Sequence, residues 1–292
     1  MQAFTVEAGG VSLFVRDWGE PDRPALLYWD GLGGCGLHAN EIAPILVETY
    51  GLRVVALDAP GHGRSPALPS ESYRPSILAG VAADLLSELG ISRAIFMGFS
   101  WGGRIACSFG ARFPERTAGL ALIDGGYFEW ADVSGTDTIA DLNACIAAAR
   151  RRAKTDSFAT WEEYFAVQRE ELGRWSQALA EAHRAMMREA GGRIVPILEP
   201  EVGGAIRHGE YQEPLTTTYP PLADAELPVL LLTAPEEAKY LREAEAAIAR
   251  FRSALPGARV ESISDGIHDL VSYDPTGVAE LVGRFARAQP PP

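Results

Sequence analysis

Apolar residues fall along this chain in short unbroken runs separated by amphipathic stretches. Seven runs have strand length: 12–18, 25–29, 53–57, 94–97, 120–123, 229–233 and 260–263. Most lack polar alternation, as expected of strands covered on both faces. Helical patterning fills the gaps at 39–50, 75–89, 101–113, 236–254 and 275–288. Alternating strands and helices predict an α/β fold, a mostly parallel sheet flanked by helices. The interval from Ile123 to Val229 breaks the alternation, with no convincing strand. Phe158, Trp161, Phe165, Leu172, Trp175 and Leu179 recur there at three-, four- and seven-residue steps, which would stack them on one helical face. The expected organisation is a core of residues 1–126 and 225–292 with a helical cap, residues 127–224, inserted between two strands.

Composition narrows the function. The chain of 292 residues carries 26 Lys and Arg against 39 Asp and Glu, a net charge of −13. Such a surface repels phosphate backbones and anionic lipid, so neither nucleic acid nor a membrane is the expected partner. No basic start leads into an apolar run, and no stretch approaches the roughly 18 apolar residues of a membrane span. A cytoplasmic location and a small, hydrophobic substrate are expected. Cys35, Cys107 and Cys145 are odd in number and unrelated in spacing, as reduced packing thiols would be, and no Cys/His cluster points to zinc. No metal or cofactor is called for.

The chemistry centres on Gly98-Phe99-Ser100-Trp101-Gly102-Gly103, between an apolar run and a helix. This is G-x-S-x-G in its strand-turn-helix setting, where a sharp turn lifts the serine above the sheet. The turn also aims the Trp101 backbone N–H at the reaction centre. A serine hydroxyl needs a base within hydrogen-bond reach. His38, His62, His183 and His208 lie at a helix start, in a turn, and in the cap. His268, in Asp265-Gly266-Ile267-His268-Asp269, follows the last strand, where open parallel sheets build their sites. It is the expected general base. The acid that holds its tautomer is open between Asp124, in Ile123-Asp124-Gly125-Gly126, and Glu237 or its neighbour Glu236, after the run 229–233.

Gly98 to Gly102, Asp58-Ala59-Pro60-Gly61-His62-Gly63-Arg64-Ser65 and Gly266-Ile267-His268 together resemble the α/β-hydrolase superfamily, from about Val11 to Phe285 outside the cap. The resemblance implies a second oxyanion donor in the loop Tyr28 to Gly34. Asp30-Gly31 stands where the superfamily usually has His-Gly, which makes the Leu32 N–H that donor and brings the Asp30 carboxylate near the substrate. Asp30-Gly31-Leu32-Gly33 with Cys35 is similar to the zearalenone lactonases, which carry their acid after the strand before the cap; this favours Asp124. Ser100-Trp101-Gly102 resembles proline iminopeptidases, whose cap carboxylates have no counterpart identified here. The implied activity is hydrolysis of a carboxylic ester, plausibly a lactone, by Ser100, His268 and Asp124, with Trp130, Trp161, Tyr164, Phe165 and Trp175 lining an apolar pocket. Amide, peptide or carbon-carbon hydrolysis, and ligand binding without turnover, are the alternatives.

Overall fold

The computed structural model describes residues 1–129, 141–234 and 241–289. Its eight-stranded sheet runs in the order β1-β2-β4-β3-β5-β6-β9-β10. The strands are β1 (Gln2–Ala8), β2 (Val11–Trp18), β3 (Ala25–Trp29), β4 (Arg53–Leu57), β5 (Ala94–Phe99), β6 (Thr117–Ile123), β9 (Val229–Thr233) and β10 (Arg259–Ser262). From β4 to β10 every pairing is parallel, and β1 and β2 add an antiparallel edge.

The unbroken apolar runs have a simple cause: successive side chains enter different layers. Leu26, Tyr28, Val54, Ala56, Ile95 and Met97 pack under α1 (Ile42–Tyr50) and α11 (Pro275–Arg287). Leu27, Trp29, Val55, Leu57 and Phe96 pack on the opposite face, under α2 (Pro75–Glu88), α3 (Trp101–Arg112) and α9 (Leu241–Ala254). With both faces buried, polar alternation would place unpaired polar groups in the core.

β1 escapes the sequence pattern because it alternates exposed and half-buried residues at the sheet edge. Only Phe4, Val6 and Ala8 of it join the core.

Between β6 and β9 the insertion is not purely helical, contrary to the sequence expectation. It holds α4 (Leu142–Thr155), α5 (Trp161–Leu172), α6 (Gln177–Ala185), α7 (Pro200–Gln212) and α8 (Tyr219–Asp224), and also an antiparallel hairpin, β7 (Met187–Ala190) and β8 (Arg193–Pro196). Turned by Gly191 and Gly192 at positive φ, these strands are four residues each, too short to show a period. The aromatic series is likewise cut into pieces. Phe158 bridges to Ile194 ahead of α5, α5 stops at left-handed Gly173, and α6 restarts under a Ser176 cap.

A buried ion cluster fastens the insertion to α3. Arg104 lies 2.7 Å from Glu129 and 3.4 Å from Glu210, and Arg207 lies 2.7 Å from Glu210. Burial alone would lower the Arg104 pKa, but Glu210 and Glu129 outweigh it and raise it. Arg174, at the α5–α6 elbow, forks onto Glu41 at 2.7 and 2.9 Å and also donates to the Ser272 carbonyl, in α10 (Leu270–Tyr273). Cys35, Cys107 and Cys145 are all buried and unbridged. Among the described residues no helix is long and apolar enough to cross a membrane, and no cluster of His, Cys, Asp and Glu could hold a metal.

Candidate active site

At the end of β5 the chain reverses into α3 within one residue. Ser100 takes φ +50° and ψ −114°, a region that costs an L-residue about 1–3 kcal/mol. The residues two before and two after it must be glycine. A Cβ on Gly98 would stand 2.2 Å from the Gly102 carbonyl oxygen, and one on Gly102 would stand 2.1 Å from that of Trp29. The turn is pinned by the Ser100 N–H donating to the Ile123 carbonyl at 2.9 Å.

His268 lies in the loop between β10 and α10, with its ring 5.3 Å from that of Phe99. Its Nε2 is 2.9 Å from Ser100 Oγ, and its Nδ1 is 2.7 Å from Asp124 Oδ2. A carboxylate only accepts, so Nδ1 carries the proton and the Nε2 lone pair accepts from the serine hydroxyl. The His268 side chain is 59% exposed and that of Asp124 1%. His268 and Ser100 thus meet solvent, while the Asp124 carboxylate is enclosed.

Asp124 follows β6 at φ +42°, a left-handed conformation that aspartate tolerates better than most side chains. Its Oδ1 accepts from the Tyr127 hydroxyl at 3.0 Å and from the Ala234 N–H at 3.2 Å. Ala234 follows β9, so the backbone of that strand end serves to hold Asp124. Glu236 and Glu237 lie outside the described residues, as does Trp130.

Trp101 follows Ser100 directly and opens α3, where the first N–H groups of any helix lack internal acceptors. Leu32 follows Gly31, which packs against Ser100; a Cβ on Gly31 would lie 3.2 Å from Ser100 Cβ. Neither residue's backbone N–H has an acceptor among the described residues. The Trp101 ring stacks on His62 at 5.3 Å and meets Trp29 edge-on at 6.0 Å, which props the start of α3. The rest of the Asp58 to Ser65 motif is scaffold. Asp58 pairs with Arg16 at 2.6 Å and accepts from the N–H groups of Gly36 and Arg64.

Asp30, expected beside the substrate, is instead turned into the protein and 3% exposed. Its Oδ1 accepts from the Gly31 N–H at 2.7 Å and the Tyr28 hydroxyl at 2.9 Å, and its Oδ2 lies 2.7 Å from His38 Nδ1. Of the remaining expected pocket residues, Tyr164 is buried and Trp161, Phe165 and Trp175 are half-buried. They pack on one another and on Phe158 and His183 at ring separations of 5.0–6.3 Å. Trp161 also donates to Glu189 of β7. These contacts hold α5, α6 and the hairpin together.

His38, His183 and Tyr127 were missed by the sequence reading. The spacing of Tyr127 three residues after Asp124 is a signal in hindsight; the His38–His183 meeting, with rings 5.8 Å apart, has none. For His38, burial alone would lower the pKa, but Asp30 outweighs it and lifts the value from 6.5 to about 9. His183 goes the other way, to about 3, through burial and then the His38 charge. A raised value contributes stability that is complete below pH 6.5 and lost as pH rises through about 9; at roughly 1.4 kcal/mol per unit this is about 3 kcal/mol. A lowered one contributes stability present above pH 6.5 and lost toward pH 3. The expected result is a urea midpoint that peaks near pH 6.5 and falls on both sides, with the alkaline fall removed in His38→Gln.

The chain is similar to several known proteins. A putative non-heme haloperoxidase of Mycobacterium phage D29 is 39% identical over 99 residues, 34% of this chain and 35% of that protein. A 2-hydroxy-6-oxononadienedioate/2-hydroxy-6-oxononatrienedioate hydrolase of Burkholderia vietnamiensis is 38% identical over 104 residues, 35% of each chain. The match thus spans little more than a third of these relatives' length. The crystal structure of E-2-(acetamidomethylene)succinate hydrolase superposes with a TM-score of 0.77 at 21% identity, covering 98% of this chain and 99% of that one. The α/β-hydrolase fold family itself matches residues 24–272, most of the chain, and with its strand order and its serine turn the protein belongs to that family.

Proposed function

We propose that this protein is a serine hydrolase that cleaves a carboxylic ester, a lactone included, through an acyl-enzyme. The observation that carries the reading is the unbroken chain from Ser100 Oγ through His268 to Asp124, at 2.9 and 2.7 Å. The hydrolase name of the Burkholderia relative supports hydrolysis in general, while the choice of an ester bond rests on the site alone.

In the first half-reaction Ser100 Oγ attacks the ester carbonyl carbon while its proton passes to His268 Nε2. The carbonyl oxygen becomes an oxyanion held by the N–H groups of Leu32 and Trp101, and Asp124 stabilises the imidazolium. Collapse breaks the carbon-oxygen bond, and His268 returns the proton to the leaving alcohol. In a lactone that alcohol stays tethered to the acyl group. Water, deprotonated by His268, then releases the acid and restores Ser100. No step calls for a metal or cofactor. The insertion between β6 and β9 is the cap in this reading.

The test is intact mass after exposure to a fluorophosphonate, followed by turnover of a panel of p-nitrophenyl esters, lactones and amino-acid arylamides. A single adduct on Ser100 with ester or lactone turnover is the expected result. An adduct with arylamide turnover alone would move the assignment to amide hydrolysis. No adduct on folded protein would leave ligand binding without turnover.

A further inference from the structure

Asp30 and His38 have no part in the steps above, yet they form a buried pair directly behind the oxyanion loop. Asp30 follows β3, and the chain from Gly31 to His38 wraps around its carboxylate. A Cβ on Gly34 would stand only 2.3 Å from Oδ2. Oδ1 grips the Gly31 N–H, which fixes the plane of that peptide. The next N–H, that of Leu32, can then turn only through the two dihedrals of Gly31. Gly31 is itself wedged against Phe99 and Ser100, where a Cβ would meet the ring at 3.1 Å and Ser100 Cβ at 3.2 Å.

We propose that Asp30 and His38 are positioning residues for the oxyanion hole, holding the Gly31-Leu32 segment so that the Leu32 N–H faces the carbonyl oxygen of a substrate at Ser100. This rests on the serine-hydrolase reading. His38 supplies the cation without which the enclosed Asp30 carboxylate would be uncompensated, and leaving a buried charge unpaired is strongly destabilising. The charged and titratable groups facing His38 are Asp30 from the β3 loop, His183 from α6 and Asp269 at the start of α10. His183 is 3% exposed, with its Nδ1 3.0 Å from the Tyr164 hydroxyl of α5 and its ring stacked on Trp175 at 5.4 Å. The insertion therefore seats directly on the pair that orients the donor. With His38 lifted to about 9, it is charged at neutral pH and discharges above that value.

The test compares kcat for an ester with kcat for the matched thionoester. Sulfur accepts hydrogen bonds poorly, so a misplaced oxyanion donor penalises the oxygen ester selectively. In His38→Gln and Asp30→Asn, kcat for the oxygen ester is expected to fall about 10- to 100-fold, with KM within about twofold and the oxygen-to-sulfur ratio falling by a similar factor. In wild type the same ratio is expected to fall as pH rises through about 9, a readout that needs no variant to fold. Equal losses on both esters together with a flat wild-type ratio would mean a general structural role and overturn the proposal, as would unchanged kcat in folded His38→Gln. Absence of wild-type turnover on every ester would instead overturn the hydrolase reading, and this proposal with it.

Discussion

Ser100→Ala is expected to lower kcat/KM for the best ester by at least about four orders of magnitude, and to abolish the fluorophosphonate adduct, without unfolding the protein. The Oγ is the group from which the covalent intermediate would form, and Ala offers no substitute. What survives is stabilisation by the backbone N–H groups of Leu32 and Trp101, together with substrate binding. The fold should hardly notice. Alanine inherits the same backbone strain at φ +50°, and the lost hydrogen bond ends on a histidine whose side chain is 59% exposed, so stability should move by less than about 1 kcal/mol. Steady-state rates, intact mass and a urea melt on one preparation check all three statements. A variant that keeps wild-type turnover would show that Ser100 is not the nucleophile.

Asp124→Asn should reduce kcat about 10³- to 10⁴-fold, and the geometry says why. Two donors, the Tyr127 hydroxyl and the Ala234 N–H, already converge on Oδ1. In the amide they claim the oxygen, which turns the NH₂ toward His268 Nδ1. That nitrogen must then accept, the proton moves to Nε2, and Nε2 can no longer take the proton of Ser100. The amide keeps the shape of the site and reverses the tautomer. Glu237→Gln, measured in parallel, is expected to stay within about threefold of wild type. The reverse pattern, with Glu237→Gln slow and Asp124→Asn fast, would hand the acid role to Glu237.

Most of the proposed catalytic residues stood out in the sequence because each is announced by its local surroundings. Ser100 sits in a turn that only small flanking residues permit, and His268 directly follows the last strand. The acid was not legible, since an aspartate among glycines and a glutamate at a helix start each have ordinary structural explanations. Asp124 stands apart only once β6 and β9 pair in parallel and bring Ala234 N–H, 110 residues away, to its carboxylate. Asp30 was read as a substrate contact for a related reason. Its place in the loop is local information, but the direction of its side chain depends on Tyr28 and His38.

The insertion was read least well. Its aromatic periodicity suggested one helical face, whereas Gly173 divides the series and Phe158 pairs with the hairpin, and aromatic residues pack equally well against a turn, a strand or a second helix.

The sequence by itself therefore determined the α/β architecture and pointed to the proposed nucleophile and base, because unbroken apolar runs force two-sided burial and a serine turn forces glycines. Only the tertiary structure decided which carboxylate reaches His268, which way Asp30 faces, and that His183 of the insertion meets His38 behind the oxyanion loop. Those depend on contacts between residues far apart in the chain, whose energies come from shared burial and charge and leave no pattern in the local sequence.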